Sequence, residues 1–294
     1  MNTLQRGTLE MTAAMVISGT IGWLVVRSGQ AIPDLLFWRC LFGALTLFAF
    51  CAALGLLRPI PWRQAGLAAV GGVAIVANWL LLFSAYAHAS ISVATVVYNT
   101  QPLMLVGLGV LFLRERLARD QMGWLLLAFG GVLLVAQARS ANLPAGANYG
   151  LGILLALGAA FLYAIAALVA KKLKGLAPHV IALVQMVVGC VLLAPWALRS
   201  GLPADATAWS SFAAIGVVYT GVMYILLYGA LQKLPTPLAG ALSFVYPLVA
   251  VLVDHVAFGV RLGPIQWVGA AAILAAAAGL HLRAQRSLAK AAAQ

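Results

Sequence analysis

Acidic side chains are nearly absent: six aspartates and glutamates stand in 294 residues, against eighteen lysines and arginines. Glu10, Glu115, Asp120 and Asp205 fall at the ends of apolar runs, Asp34 opens one, and Asp254 lies late in another. No two acids share a mid-run position, and neither His-Glu-x-x-His nor Gly-x-Ser-x-Gly occurs. An intramembrane protease or a proton pump needs carboxylates deep in the bilayer, so this scarcity counts against both. Cysteine is equally sparse. Cys40, Cys51 and Cys190 lie in apolar runs without metal-ligand spacing and read as small buried hydrophobes, so no metal and no cofactor is expected. His88, His179, His255 and His281 fall near run ends and read as interfacial.

Charge of either sign is short as well. Charged residues make up 8% of the chain, where a soluble domain carries roughly a quarter. What fills the space is apolar: 64% of residues are hydrophobic and the mean hydropathy is +1.03. From Gln64 to Leu113 no lysine, arginine, aspartate or glutamate occurs. A helix needs about 20 apolar residues to cross a hydrocarbon core of roughly 30 Å. The runs predict ten crossings at 8–26, 33–57, 63–87, 92–113, 120–138, 148–170, 178–198, 207–231, 236–258 and 263–282. Prolines punctuate many of their ends, among them Pro33, Pro178, Pro235 and Pro264. The first run has no convincing small-x-small cleavage site after it and reads as a retained helix. Short connections imply that sequential helices are antiparallel neighbours.

The formal net charge of +12 invites a nucleic-acid reading. No basic run is interleaved with aromatics in a soluble segment, so no nucleic-acid partner is expected. The cations instead sort by side. Thirteen lysines and arginines fall on the side of the termini; Arg27, Arg139, Arg199 and Arg261 fall on the other, and Arg39 lies inside a span. The positive-inside rule then places both termini in the cytoplasm and the chain in the cell (inner) membrane as a multi-pass protein.

A step of 145 residues relates the two halves. It carries Pro102 to Pro247, Arg116-Leu117 to Arg261-Leu262, Gln121 to Gln266 and Pro33 to Pro178. Such self-similarity marks an internal duplication, with one unit at 1–140 and the second at 141–294. Five spans is an odd number, so the second unit must sit upside down. The charges follow: Arg114, Arg116 and Arg119 after span four have only Arg261 as their counterpart, whereas Arg27 after span one corresponds to Lys171, Lys172 and Lys174. The expected fold is an all-α polytopic membrane protein, ten transmembrane helices in two inverted five-helix repeats. That architecture favours a carrier working by alternating access.

The stretch from Ser92 through Gln101-Pro102 to Arg114-Glu115-Arg116-Leu117, followed by Gln121 and Gly123-Trp124, resembles the EamA repeat of the drug/metabolite transporter superfamily. The second copy departs from it at Val260, which takes the place of the glutamate. Within that superfamily the nearest resemblance is to YddG-type exporters of aromatic amino acids. The resemblance implies a central cavity built mainly by helices 1–4 and 6–9, with helices 5 and 10 at the periphery.

Amides and aromatics populate mid-depth. Asn78 and Trp79 lie in span three; Tyr98, Asn99 and Gln101 precede Pro102 in span four; Tyr163, Gln185 and Tyr224 lie in spans six, seven and eight; Tyr246 precedes Pro247 in span nine. An amide facing lipid is expensive, so these residues point inward. They either hydrogen-bond between helices or line a polar-aromatic cavity for a planar, amino- and carboxylate-bearing solute. Arg39 either snorkels outward or attracts a carboxylate. Pro102 and Pro247 are either simple kinks or repeat-related hinges. The expected partners are a small-molecule substrate and the lipid bilayer, with no obligate protein partner. The expected function is export of small neutral solutes, foremost amino acids including aromatic ones. The alternatives are efflux or exchange of another metabolite or drug, a passive channel, or a membrane-embedded enzyme.

Overall fold

The computed structural model of the protein describes residues 2–28, 30–88, 94, 97–115, 117–136, 148–200, 206–258 and 263–292. Ser92, Arg116, Arg139, Asp205, Val260, Arg261 and Leu262, used above, lie outside the described residues, as do the side chains of Arg27, Asp254, His255 and Gln266. The described elements are helical throughout. The first half supplies α1 (Thr3–Ser28), α2 (Ile32–Ala53), α3 (Trp62–His88), α4 (Gln101–Leu113) and α5 (Arg119–Ala136). The second supplies α6 (Tyr149–Lys172), α7 (Pro178–Ser200), α8 (Ala206–Gly216), a π-helical turn (Val217–Val222), α9 (Met223–Lys233), α10 (Thr236–Ser243), α11 (Val245–Phe258) and α12 (Pro264–Ala292).

Local chemistry sets several boundaries. Extended Ala31 and Pro33 in the first turn start α2, with Asp34 at the positive end of the helix dipole. The Asn148 side chain caps α6 by accepting from Leu151 N at 3.1 Å. Arg114, in the left-handed region at φ 54°, ends α4 by turning its N–H back to the Gly109 carbonyl.

Among the described residues six helices are long and apolar enough to cross a membrane: Ile32–Ala53, Trp62–Ala85, Gly150–Lys172, Pro178–Arg199, Ala208–Lys233 and Trp267–Arg286. Gln101–Leu113 is a shorter apolar helix, and the apolar stretch Thr236–Val249 is broken at Phe244. The ninth predicted span is therefore divided at Phe244, and the eighth carries a π turn that its sequence did not announce.

Sequential helices are not the main packing partners, contrary to the expectation from loop length. α3 packs on α6, α1 on α9, α2 on α7, α5 on α12, α1 on α11 and α4 on α6, so the dominant contacts join one half to the other. Short loops fix where a helix starts, but burial of apolar faces decides what it lies against. Stepping by 145 residues converts α3–α6 into α1–α9 and α4–α6 into α1–α11, and returns α2–α7 and α5–α12 to themselves.

Contacts along each pair give the helix directions. Gly7 meets Lys233 and Leu234 while Thr20 meets Tyr219, so α1 runs antiparallel to the helix ending at Lys233. Gly71 faces Val169 and Asn78 reaches Ala159, so α3 and α6 are antiparallel. Asp120 pairs with Arg283 and Gly131 faces Gly269, so α5 and α12 are antiparallel. Trp38 stacks near Trp209 and Phe212 while Thr46 meets Gly221, so α2 runs parallel to α8 and the π turn. Small residues permit these approaches: a Cβ on Gly131 would stand 2.6 Å from the Gly269 carbonyl. One end of the bundle, here called the basic face, thus collects the starts of α1, α3 and α5 and the ends of α4, α6, α9 and α12. Arg6, Lys171, Lys233 and Arg283 stand there.

Candidate functional site

Where α2, α3, the π turn and α9 meet, Arg39 is buried at 3% exposure. Its Nε donates to Thr220 Oγ1 at 2.8 Å, its Nη2 donates to the Tyr219 carbonyl at 3.3 Å, and its guanidinium carbon sits 4.0 Å from the centre of the Trp79 ring. The carbonyl is offered by the π turn, in which Thr220 Oγ1 itself donates to the Ile215 carbonyl at 3.1 Å. Arg39 therefore turns inward rather than snorkelling. No carboxylate pairs with it among the described residues, and two hydrogen bonds leave three of a guanidinium's five donors uncommitted.

Aromatic rings continue the layer. Trp79 meets Tyr224 edge-on at 6.2 Å, and these two residues correspond under the 145-residue step. Tyr224 meets Tyr228 edge-on at 5.2 Å, and the Tyr228 hydroxyl donates to Gln185 Oε1. Asn78 donates through Nδ2 to the Ala159 carbonyl at 2.7 Å and to the Tyr98 hydroxyl at 3.3 Å. Tyr98 in turn meets Tyr163 edge-on at 6.2 Å. Asn99 and Gln101 are buried at the start of α4. Three amide atoms remain without hydrogen-bond partners in this region: Asn78 Oδ1, Gln101 Oε1 and Gln185 Nε2. A buried unpaired amide atom costs about 1–3 kcal/mol, which makes them natural receivers for a polar solute or water.

Most of the residues singled out from sequence thus gather at the boundary between halves, where several pack on one another. A pocket of about 340 Å³ lies elsewhere, at the basic face, lined by Thr3, Leu4, Gln121, Lys233, Leu238 and Arg283 among others. Both of its cations are already paired, Lys233 with Glu10 and Arg283 with Asp120. The buried layer, with its unpaired cation and orphaned amides, is the stronger candidate for solute recognition. Among the described residues no three His, Cys, Asp or Glu side chains converge to hold a metal ion.

Sequence reasoning overlooked Tyr228 and Thr220. Both stand four residues from Tyr224 and so share its helix face, a spacing that would have found them. It also misplaced the helix breaks. Pro102 and Pro247 are not mid-helix: each lies in the first turn of a new segment, with the breaks at Asn99–Thr100 and Phe244 just ahead.

Known proteins agree with this architecture. The "Uncharacterized transporter YxxF" of Bacillus subtilis is 29% identical over 282 residues, covering 94% of this chain and 90% of its own. The "Uncharacterized transporter PA0485" of Pseudomonas aeruginosa is 32% identical over 265 residues, covering 85% and 83%. An uncharacterized transporter of Archaeoglobus fulgidus is 26% identical over 275 residues, covering 92% and 95%. One crystal structure superposes with a TM-score of 0.82 over 95% of this chain and 98% of its own, at 22% identity, a likeness of fold alone. The profile of the EamA-like transporter family matches twice, at residues 5–137 and 150–282, two matches standing at the 145-residue step found in the sequence. This chain belongs to the EamA-like transporter family.

Proposed function

We propose that this membrane transporter exports small neutral solutes, foremost amino acids including aromatic ones, by alternating access between two inverted five-helix repeats, 1–140 and 141–294. In this reading ten helices cross the cell (inner) membrane and both termini are cytoplasmic. The observation that carries the reading is the buried layer between the halves: an arginine without an acidic partner, orphaned amides and a wall of aromatic rings. Arg39 takes the substrate carboxylate in a charge-assisted hydrogen bond. Asn78, Asn99, Gln101 and Gln185 serve its polar groups, while Trp79, Tyr98, Tyr163, Tyr224 and Tyr246 face its side chain. The resemblance to YddG-type exporters points to the same substrates. The breaks ahead of Pro102 and Pro247 act as paired hinges about which the halves rock.

Purified protein in liposomes is expected to move labelled phenylalanine, tryptophan or smaller neutral amino acids, with saturable flux and counterflow. Flux of another metabolite or a drug in their place would replace the substrate and keep the carrier; unsaturable flux without counterflow would make the protein a channel. No carboxylate joins the layer among the described residues. Net movement therefore follows the substrate's own gradient, by facilitated diffusion or exchange. Uphill accumulation that collapses with an imposed pH gradient would overturn this mode of coupling.

A further inference from the structure

The link between α9 and α10 is two residues, Leu234 and Pro235, and residues of α1, α6 and the end of α4 grip it and its flanks Lys233 and Thr236. Glu10 of α1 holds Lys233: its Oε2 stands 2.5 Å from Nζ, while its Oε1 takes Arg6 Nε at 3.0 Å. Lys171 at the end of α6 donates to the Leu234 carbonyl at 2.6 Å. Glu115, just past α4, accepts from Thr236 N through Oε2 at 3.3 Å and pairs through Oε1 with Lys171 at 3.4 Å. The left-handed turn at Arg114 directs Glu115 back onto this link, and Gly109 lets Thr236 press against α4.

Both carboxylates come from the first half of the chain, and apart from Arg6 what they hold, Lys233, Thr236 and Lys171, comes from the second. The contacts are part-buried, Glu10 at 15% and Lys171 at 9% exposure, so water and salt screen them less than surface pairs. Half of the six acidic residues in the sequence are Glu10, Glu115 and Asp120, all at this face. The third acts differently: Asp120 pairs with Arg283 between α5 and α12, and among the described residues no ion pair joins it to Lys233 or Lys171.

We infer that Glu10 and Glu115 form a two-point ionic latch on this link and its flanks that holds the basic face closed in this conformer, and that releasing it opens the buried layer to that side. The inference rests on the alternating-access reading above. Substrate moves between the layer and the basic face only when the halves part there, and among the described residues these ties, with the Thr8–His281 hydrogen bond at 3.1 Å, join the halves beside the link. Asp120–Arg283 joins the peripheral pair and travels with it.

The test uses the full chain in vesicles of known orientation, with Cys40, Cys51 and Cys190 replaced by alanine. Ser243→Cys, buried at 2% exposure on α10 beneath the link, reports access. A membrane-impermeant maleimide is applied at the basic face and the labelling rate measured without substrate. Glu10→Gln and Glu115→Gln are each expected to raise that rate about fivefold or more, as loss of a part-buried charge-assisted hydrogen bond requires. Asp120→Asn should stay within about twofold of the parent, because its pair carries no part of the latch. The double swap Glu10→Lys with Lys233→Glu should restore the parental rate, separating a latch from general loosening. Glu115→Lys with Lys171→Glu should not, since a carboxylate at 171 cannot donate to the Leu234 carbonyl. Parental labelling in the glutamine variants, an equal rise in Asp120→Asn, or no recovery in the first swap would overturn the latch. Because no substrate enters this measurement, its failure leaves the transport reading standing, and an inactive substrate panel leaves the latch standing.

Discussion

Arg39 is held by one hydroxyl, one carbonyl and one indole face, none of them charged. A buried cation with no counter-charge among the described residues weakens a fold, and on the proposed function its place there is explained by substrate binding. Arg39→Met is therefore expected to leave the thermal unfolding temperature unchanged or raised while cutting amino-acid transport at least about tenfold, the worth of one charge-assisted hydrogen bond. A steep fall in unfolding temperature would instead make Arg39 a structural strut. Arg39→Lys should recover little, because an ammonium reproduces neither the planar stack on Trp79 nor the forked donors. At this scale the sequence was informative wherever a polar group interrupted an apolar run. Asn78, Gln185 and Arg39 were legible for that reason. Their partners were not: the Tyr219 and Ala159 carbonyls belong to every residue's backbone and carry no signature in the side-chain alphabet.

The two broken helices share a cause. Proline has no N–H to donate four residues back, and its ring crowds that carbonyl. For Pro102 and Pro247 the deprived residues are Tyr98 and Ser243, immediately before the breaks. Reading proline as a mid-helix kink put the bend at the ring, whereas the strain is relieved a turn earlier. Pro102→Ala with Pro247→Ala is expected to let the segments fuse, raising hydrogen-exchange protection at 99–101 and 244–246 and slowing transport. Raised protection with unchanged flux would reduce the breaks to a matter of shape. Close packing is equally local. Gly131→Val drives a branched side chain into the Gly269 carbonyl and should lower the stability of the α5–α12 pair by about 1–3 kcal/mol, measured by thermal unfolding. Helix positions followed from hydropathy and proline spacing. The π turn did not, because Val217 to Val222 continues the apolar run of its flanks; its β-branched residues and Gly221 are weak helix formers without specifying a π turn, which offers the Tyr219 carbonyl to Arg39.

Over the whole molecule, the 145-residue step seen in a few prolines and arginines extends to the packing of entire helices. The duplication was legible because it is written in sequence; the choice of partners was not, since apolar faces of similar composition do not name each other. The inverted arrangement predicts sidedness directly. Cysteine labels at Lys172 and Ser200 are expected on opposite sides of the membrane, with Lys172 reachable only from within the cell. Both labels reachable from one side would end the inverted reading. Trp79 and Tyr224 meet as counterparts, yet Arg39 has Val184 as its own. Were the halves identical, the inward-open and outward-open shapes would be the same object seen from opposite leaflets, with equal free energies. A single unmatched guanidinium lifts that degeneracy. The direction in which the empty carrier waits then depends on its unmatched residues, Arg39 and the latch carboxylates Glu10 and Glu115 among them, and moving the cation to position 184 is expected to shift that preference toward the other face.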